Sequence, residues 1–199
     1  YSRNPVGSII EETNRLPLAP SFKEKTSVME YNDANQLVSM DGNPCTYDQD
    51  GNLADMGDTF SATYDPENRL TAVTQGGNQK IYSYDGHGNR RSVEDQAGIS
   101  REYYDPFGRL LFETDASGSI TAQYVYDGMR LVAMMKGLDA YFYHFEKTGN
   151  TIALTDRTGA VANAYAYEPF GAIIASSGQV RNPFTFVGAF GVRDEGGGI

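Results

Sequence analysis

The sequence predicts an all-β fold, a repetitive strip of antiparallel β-hairpins. Three observations predict it. A tyrosine followed by an acidic or turn-forming residue, with Gly or Asn shortly after, recurs at steps of roughly 16 to 22 residues. A second kind of turn falls between each pair of these motifs, so turns come about every ten residues. No stretch carries a sustained 3.6-residue apolar period.

The motif runs in order along the chain. It reads Tyr31-Asn32-Asp33-Ala34-Asn35, Tyr47-Asp48-Gln49-Asp50-Gly51 and Tyr64-Asp65-Pro66-Glu67-Asn68. It continues as Tyr84-Asp85-Gly86-His87-Gly88 and Tyr104-Asp105-Pro106-Phe107-Gly108. Weaker copies are Tyr126-Asp127-Gly128, Phe145-Glu146-Lys147-Thr148-Gly149 and Tyr167-Glu168-Pro169-Phe170-Gly171. Each residue type has a task. Asp bonds its own backbone two residues on and starts a turn. Pro66, Pro106 and Pro169 preset φ for a type I turn. Gly or Asn supplies the positive φ of a three-residue hairpin loop with a bulge. The tyrosine ends a strand with a broad apolar ring and a hydroxyl that can reach a partner, so stacked copies predict a tyrosine ladder.

The intervening turns fall at Asp41-Gly42-Asn43, Met56-Gly57-Asp58, Gly76-Gly77-Asn78 and Gln96-Ala97-Gly98. They return at Asp115 to Gly118, Lys136-Gly137, Asp156 to Gly159 and Ser176-Ser177-Gly178. The runs between turns are strand-like: Lys80 to Tyr84, Leu110 to Thr114, Ile120 to Tyr126 and Ala140 to Tyr143 are rich in β-branched and aromatic residues. Ser8 to Glu12 could start a helix, but Arg3 to Ile9 reads better as a degenerate repeat with Gly7 in the turn slot.

Of the 199 residues, 22 are Gly, which fits the number of turns, and 14 are Tyr, more than a plain globular chain would need. The net charge of −10 argues against nucleic acid or an anionic membrane as a partner, because no basic stripe exists. Cys45 is alone, so no intrachain disulfide framework is expected. There is no signal peptide and no apolar run of transmembrane length, so this segment is not expected to insert into a membrane.

Few residues carry catalytic chemistry. His87 lies between turn glycines and reads as solvent-facing, and His144 reads as a strand residue. Asp48-Gln49-Asp50-Gly51-Asn52 opens like a calcium loop, but Gly falls in the fourth place and Thr59 stands where a bidentate Glu is needed. No metal site and no cofactor is expected. The paired carboxylates belong to turns that already explain them.

The array resembles the YD repeats of the Rhs (rearrangement hotspot) family. Tyr64-Asp65-Pro66-Glu67-Asn68-Arg69-Leu70-Thr71-Ala72-Val73 and Tyr104 to Leu110 are close to ideal units of that pattern. Tyr143-His144-Phe145-Glu146-Lys147-Thr148-Gly149, Ala153-Leu154-Thr155-Asp156 and Tyr167 to Gly171 resemble the segment that leads into the family's repeat-associated core. Asn182 to Gly188, followed by Gly191-Val192-Arg193-Asp194, resembles the start of that core. The resemblance implies a β-strip that curls as part of a spiral shell, as in bacterial polymorphic toxins, toxin-complex C components and teneurins. It also implies secretion or display at a bacterial cell surface, with the rest of the shell and an enclosed C-terminal toxin as partners.

Three segments follow: a degenerate leading repeat over 1–25, the YD strip over 26–180, and a truncated start of the core over 181–199. The turn residues expected to build the wall are Tyr47, Asp48, Gly51, Tyr64, Asp65, Asn68, Tyr84, Asp85, Gly88, Tyr104, Asp105, Gly108, Tyr167 and Gly171. Arg193 and Asp194 align with the pair that the resemblance links to autoproteolysis. An aspartic dyad needs a second carboxylate, and after Asp194 this sequence reads only Glu195-Gly196-Gly197-Gly198-Ile199. The chain is therefore expected to have no enzyme activity and not to cleave itself. The function expected is structural: to enclose and help deliver a toxin. The alternative is a cell-surface repeat module that binds carbohydrate or protein through exposed aromatic ladders.

Overall fold

A computed structural model describes residues 2–3, 9–11, 18, 26–168 and 171–194. Among these the chain is β-structure throughout, apart from one short 3-10 turn at Gly188–Phe190. The strands are β1 (Ser2–Arg3), β2 (Ile9–Glu11), β3 (Met29–Tyr31), β4 (Leu37–Met40), β5 (Asn43–Tyr47) and β6 (Leu53–Met56). They continue as β7 (Phe60–Tyr64), β8 (Leu70–Gln75), β9 (Asn78–Tyr84), β10 (Arg90–Asp95), β11 (Gly98–Tyr104) and β12 (Leu110–Thr114). The last are β13 (Ile120–Asp127), β14 (Arg130–Lys136), β15 (Asp139–Phe145), β16 (Thr151–Thr155), β17 (Val161–Tyr167) and β18 (Ile173–Ser177).

The chain divides into two compact units. One comprises Lys23–Met129 and Met134–Asp139; the other comprises Tyr1–Phe22, Arg130–Ala133 and Ala140–Ile199. In the first, β3 to β13 are hydrogen-bonded in sequence order, each strand antiparallel to the next. In the second, β15 to β18 do the same, and β1 pairs with β2 in a separate two-stranded sheet. Arg3 pairs with Ile9 there. Gly7, the turn residue expected between them, lies outside the described residues, as do Pro169, Phe170 and the stretch after Asp194.

Register follows one rule at the motif edge. Tyr31 pairs with Leu37, Tyr47 with Leu53, Tyr64 with Leu70, Tyr84 with Arg90 and Tyr104 with Leu110. Phe145 with Thr151 and Tyr167 with Ile173 keep the same six-residue offset. A bulge sits beside each pair, as the three-residue loop with an αL residue demands. Gly51, Gly88 and Gly108 have φ of 86°, 87° and 78°, and Asn68 takes the same slot at 59°. At the opposite edge, Asp41-Gly42 and Gly76-Gly77 have positive φ at both residues, the two-residue turn that matches strand twist.

Alternation along the strands buries one face. The residue two before each motif aromatic is buried in Cys45, Ala62, Tyr82, Glu102, Tyr124, Tyr143 and Tyr165. Val73, Glu113 and Leu154 are buried on intervening strands. The opposite face carries small polar pairs, such as Thr63 with Thr71 (Oγ1 to Oγ1 2.9 Å) and Ser83 with Ser92 (Oγ to Oγ 2.6 Å). One buried and one open face give each strand the two-residue period the sequence shows; the open face mixes these hydroxyl pairs with exposed apolar residues such as Ile81, Tyr103 and Val125.

After β18 the chain stops adding strands and folds back over β15 to β17. Asn163 takes the place of a strand partner: its Nδ2 donates to the Val180 carbonyl (2.7 Å) and its Oδ1 accepts the Val180 N–H (3.1 Å). Gly178 makes this approach possible, since a Cβ there would lie 2.1 Å from the Ala162 carbonyl oxygen. Phe184 is then fully buried, with its carbonyl accepting the Thr151 hydroxyl at 2.6 Å.

Gly51 has open space around its Cα, whereas Gly178 does not. Gly51→Ala is expected to cost about 1–2 kcal/mol, the price of αL for an L-residue. Gly178→Ala is expected to cost distinctly more, because main chain must also move. Urea unfolding of the two variants beside the parent checks the order.

Candidate functional site

The motif edge is built from repeated hydrogen bonds within loops and between neighbouring repeats. In each full copy the Asp carboxylate caps its own loop. Asp65 Oδ1 accepts the N–H of Glu67 (3.0 Å) and of Arg69 (2.9 Å). Asp48 does the same with Asp50 and Asn52, Asp85 with His87 and Asn89, and Asp105 with Phe107 and Arg109. The loop closes through the N–H of Gly51, Asn68, Gly88 or Gly108, which donates to the Asp carbonyl. Asp115 and Asp156 use the same device on the opposite edge, without a preceding tyrosine. Glu146 has one more methylene. Its carboxylate takes the Thr148 hydroxyl and the Asn150 amide.

The Asp48, Asp65, Asp85, Asp105, Asp115 and Asp156 carboxyls are held below their ordinary value. The Asn52 amide is the largest cause for Asp48. At Asp65, Asp85 and Asp105 burial pulls upward most strongly, but the N–H and side-chain donors of each loop together outweigh it. Ser117 lowers Asp115, and Thr158 lowers Asp156.

Five motif tyrosines reach back one repeat; Tyr31 and Tyr104 instead donate within their own strands, to Met29 Sδ and to Glu102. Tyr47 Oη donates to the Leu37 carbonyl (2.7 Å), Tyr64 to Leu53 (3.1 Å) and Tyr84 to Leu70 (2.7 Å). Tyr126 donates to Leu110 (3.0 Å) and Tyr167 to Thr151 (2.7 Å). The acceptor is always the first residue of the strand that leaves the preceding loop. These tyrosines join neighbouring repeats through hydroxyl-to-carbonyl rungs. Burial raises the Tyr167 phenol, with the charges of Tyr165, Asp194 and Glu146 adding to it.

Arginine supplies a second tie that the sequence reading missed. Arg69 Nε binds Asp65 of its own loop at 2.7 Å while its guanidinium lies 4.9 Å from the centre of the next tyrosine ring, Tyr84. Arg109 binds Asp105 at 2.6 Å, lies 5.4 Å from the Tyr126 ring, and also donates to the Gly128 carbonyl. The signal was in the sequence: Arg recurs five places after Tyr64 and Tyr104.

The Tyr84 repeat differs. Arg90 occupies the place held by Leu37, Leu53, Leu70 and Leu110 in other copies, and its guanidinium clasps Glu102 (Nη2 to Oε1 2.7 Å; Nε to Oε2 3.1 Å). Tyr104 Oη donates to Glu102 Oε2 (2.7 Å), so this rung ends on a carboxylate. Glu113, directly across the ladder from Glu102, accepts the Tyr124 hydroxyl at 3.0 Å. Glu102 could be reconciled with a buried position only by finding its partner twelve residues away, which periodicity does not disclose.

Near the C-terminal end, the returning segment is fixed by Tyr143 Oη to Asn182 Oδ1 (2.8 Å), Thr151 N to the Thr185 carbonyl (2.9 Å) and Val187 N to Asn150 Oδ1 (2.8 Å). Gly171, with φ of 99°, gives way to the Phe186 ring, which would meet a Cβ at 2.7 Å. Arg193 and Asp194 are half-buried here. Asp194 N–H donates to the Pro183 carbonyl (2.7 Å), and its Oδ2 accepts the Thr185 hydroxyl (3.3 Å). His87 is exposed, and His144, also exposed, bonds Thr155 (2.9 Å). Among the described residues no three His, Cys, Asp or Glu are grouped to hold a metal ion. No helix among them is long and apolar enough to cross a membrane.

A family model described as the teneurin YD-shell matches residues 12–194. The chain belongs to the teneurin YD-shell family. Curated relatives include the tRNA3(Ser)-specific nuclease WapA of Bacillus spizizenii, 34% identical over 177 residues, which make up 83% of this chain and 8% of that protein. The tRNA nuclease WapA of Bacillus subtilis is 35% identical over 152 residues, 74% of this chain and 6% of that one. The chain therefore spans less than a tenth of the relatives it matches. Among solved structures, the Photorhabdus luminescens Tc holotoxin pore aligns at 14% identity and TM-score 0.44, covering 89% of this chain and 13% of that one. TcdB2-TccC3 aligns at 18% identity and TM-score 0.36, covering 74% and 9%. As a YD-shell segment, this chain shows its family's motif tyrosine and aspartate in two separate roles: one bonds the previous repeat, the other its own loop.

Three outcomes follow from this geometry. Tyr84→Phe leaves the Leu70 carbonyl without its donor and is expected to cost about 1 kcal/mol in denaturant unfolding. Arg90→Ala strands Glu102 in a buried site and is expected to cost about 3–5 kcal/mol. The loop carboxyls are lowered on folding, so their contribution is fully present above the unfolded carboxylate pKa of about 3.9 and is lost as pH falls through the lowered folded values. Thermal unfolding between pH 6 and pH 2 is expected to show stability falling below about pH 4. Asp65→Asn, which keeps the loop acceptor, is expected to flatten part of that fall.

Proposed function

We propose that this segment is wall material: in its parent protein it forms part of a YD shell that encloses the polypeptide following it and helps to deliver that polypeptide as a toxin. The observation that carries the reading is the rung from five of the motif tyrosines to the strand of the repeat before each. Such a rung stiffens the strip between repeats, and it engages the tyrosine hydroxyl in structure. The WapA relatives are named as tRNA nucleases, which supports a nuclease-type toxin as the enclosed class. This segment's own charge of −10 suits a wall better than an RNA-binding surface. In this reading the protein is secreted or displayed at a bacterial surface, and this segment is itself without enzyme activity. Support for the last point comes from Asp194, whose carboxylate and N–H are both taken up in fixing the returning segment.

A carbohydrate-binding module is less well supported, because sugar stacking needs open ring faces, and arginine guanidinium groups lie over Tyr84 and Tyr126.

The test is protease protection in the parent protein. The polypeptide downstream of this segment is expected to resist trypsin while attached and to be cut quickly when expressed alone. Combining Tyr64→Phe, Tyr84→Phe and Tyr126→Phe is expected to speed its digestion in the parent. Equal digestion of the attached and isolated forms would sink the enclosure reading. The segment itself is expected to remain one full-length species over days at mild pH, by intact mass. Specific cleavage near its C-terminal end, abolished by Asp194→Ala, would instead assign it proteolytic activity.

A further inference from the structure

Between the loops that follow β9 and β11 lies a groove of about 730 Å3, with Asp85, Asn89, Arg90, Glu102, Tyr104 and Asp105 among its lining residues. Its position in the repeat is informative. In the loop before it, Arg69 bridges Asp65 of its own loop and the ring of Tyr84 in the next. In the loop after it, Arg109 bridges Asp105 and the ring of Tyr126. The same place in the intervening loop is Asn89. Its Nδ2 makes a long contact of 3.3 Å with Asp85 Oδ2, the oxygen that corresponds to the one bound by arginine in the neighbouring loops. At Asn52 the same substitution leaves no comparable space, because the amide bridges to Asn68 of the next loop at 2.8 Å.

We propose that this groove is a binding site for the side chain of an arginine carried by another polypeptide, seated as Arg69 and Arg109 are seated: guanidinium on Asp85 Oδ2, plane over the ring of Tyr104. The site's chemistry favours that ligand. Arg90 lines the groove, but its charge is balanced by Glu102 in a bidentate pair. Asp105 is likewise paired with Arg109, so Asp85, with no arginine of its own loop, supplies the negative charge at the wall. His87 and Arg91 also line the groove and are exposed; their solvated positions weaken the field without filling the space. A planar guanidinium can bond a carboxylate edge-on and lie on an aromatic ring at once, which an ammonium cannot. The proposal stands apart from the shell reading, since an arginine could be accepted whether or not the wall closes.

The experiment is fluorescence anisotropy with the whole chain and a fluorescein-labelled Gly-Ser peptide carrying three arginines, beside the same peptide with three lysines. Saturable binding of the arginine peptide is expected, about tenfold tighter than the lysine peptide. Asn89→Arg supplies the arginine in cis and is expected to weaken binding about tenfold while leaving or raising the melting temperature. Asp85→Asn, which keeps the loop acceptor, is expected to weaken it as well. Thr121→Arg adds the same charge on exposed strand β13 and is expected to leave binding unchanged. Equal loss in Asn89→Arg and Thr121→Arg, or equal affinity for the two peptides, would reduce the effect to net charge and overturn the site. Absence of saturation, or occupancy by a neutral oligosaccharide with the arginine peptide silent, would overturn it too.

Discussion

The hydrogen bond from a strand-ending tyrosine to the main chain of the previous repeat is the constraint on which the rest depends. Hairpins joined only by ladder hydrogen bonds can slide or splay, and a slip of one residue would turn the buried face outward. The tyrosine hydroxyl reaches a main-chain carbonyl at a fixed place, the first residue after the preceding loop, and so measures the distance between repeats. That measurement works only if the loop itself is rigid. The aspartate capping two N–H groups and the Gly or Asn in αL provide the rigidity. The six-residue offset between seven motif aromatics and their cross-strand partners is the visible result; after Tyr126 the strands ending at Asp127 and starting at Arg130 leave only a two-residue turn.

Much of this was legible because it is local. Turn chemistry at Tyr64 to Asn68 or Tyr104 to Gly108 is set by neighbours within five residues, so the loops, their positive-φ slots and the strand spacing could be read directly. The interactions between repeats were less accessible. Tyr84 to Leu70 and Arg69 to Tyr84 join residues fourteen and fifteen apart, and only the pairing of strands brings them together. Glu102 and Arg90 form a non-periodic exception, and a reading built on periodicity passes over exceptions. The same holds for Asn163, an ordinary strand residue by sequence that serves as the clasp for the returning segment.

The returning segment shows how the repeat can be brought to a halt. Asn163 of β17 holds the main chain of Val180 with its one amide, and Gly178, Gly171 and Gly149 clear room for the chain, Phe186 and Phe190. Phe184 is then buried, with its carbonyl on the Thr151 hydroxyl. Arg193 and Asp194 follow within ten residues of this anchor, so their placement is inherited from the packing of the last hairpins.

The two edges of the strip are unequal in what they fix. At the motif edge seven copies share one offset, while the distance from one motif aromatic to the next varies from 16 to 22 residues. The surplus is taken up in strand length and at the far edge, where two-residue turns at Asp41-Gly42 and Gly76-Gly77 give way to the longer capped loops of Asp115 and Asp156. Such a strip behaves like a zipper with fixed teeth on one side and tape of free width on the other. Hairpins can be added, lost or exchanged as whole units, or widened outward, while the spacing along the toothed edge is preserved.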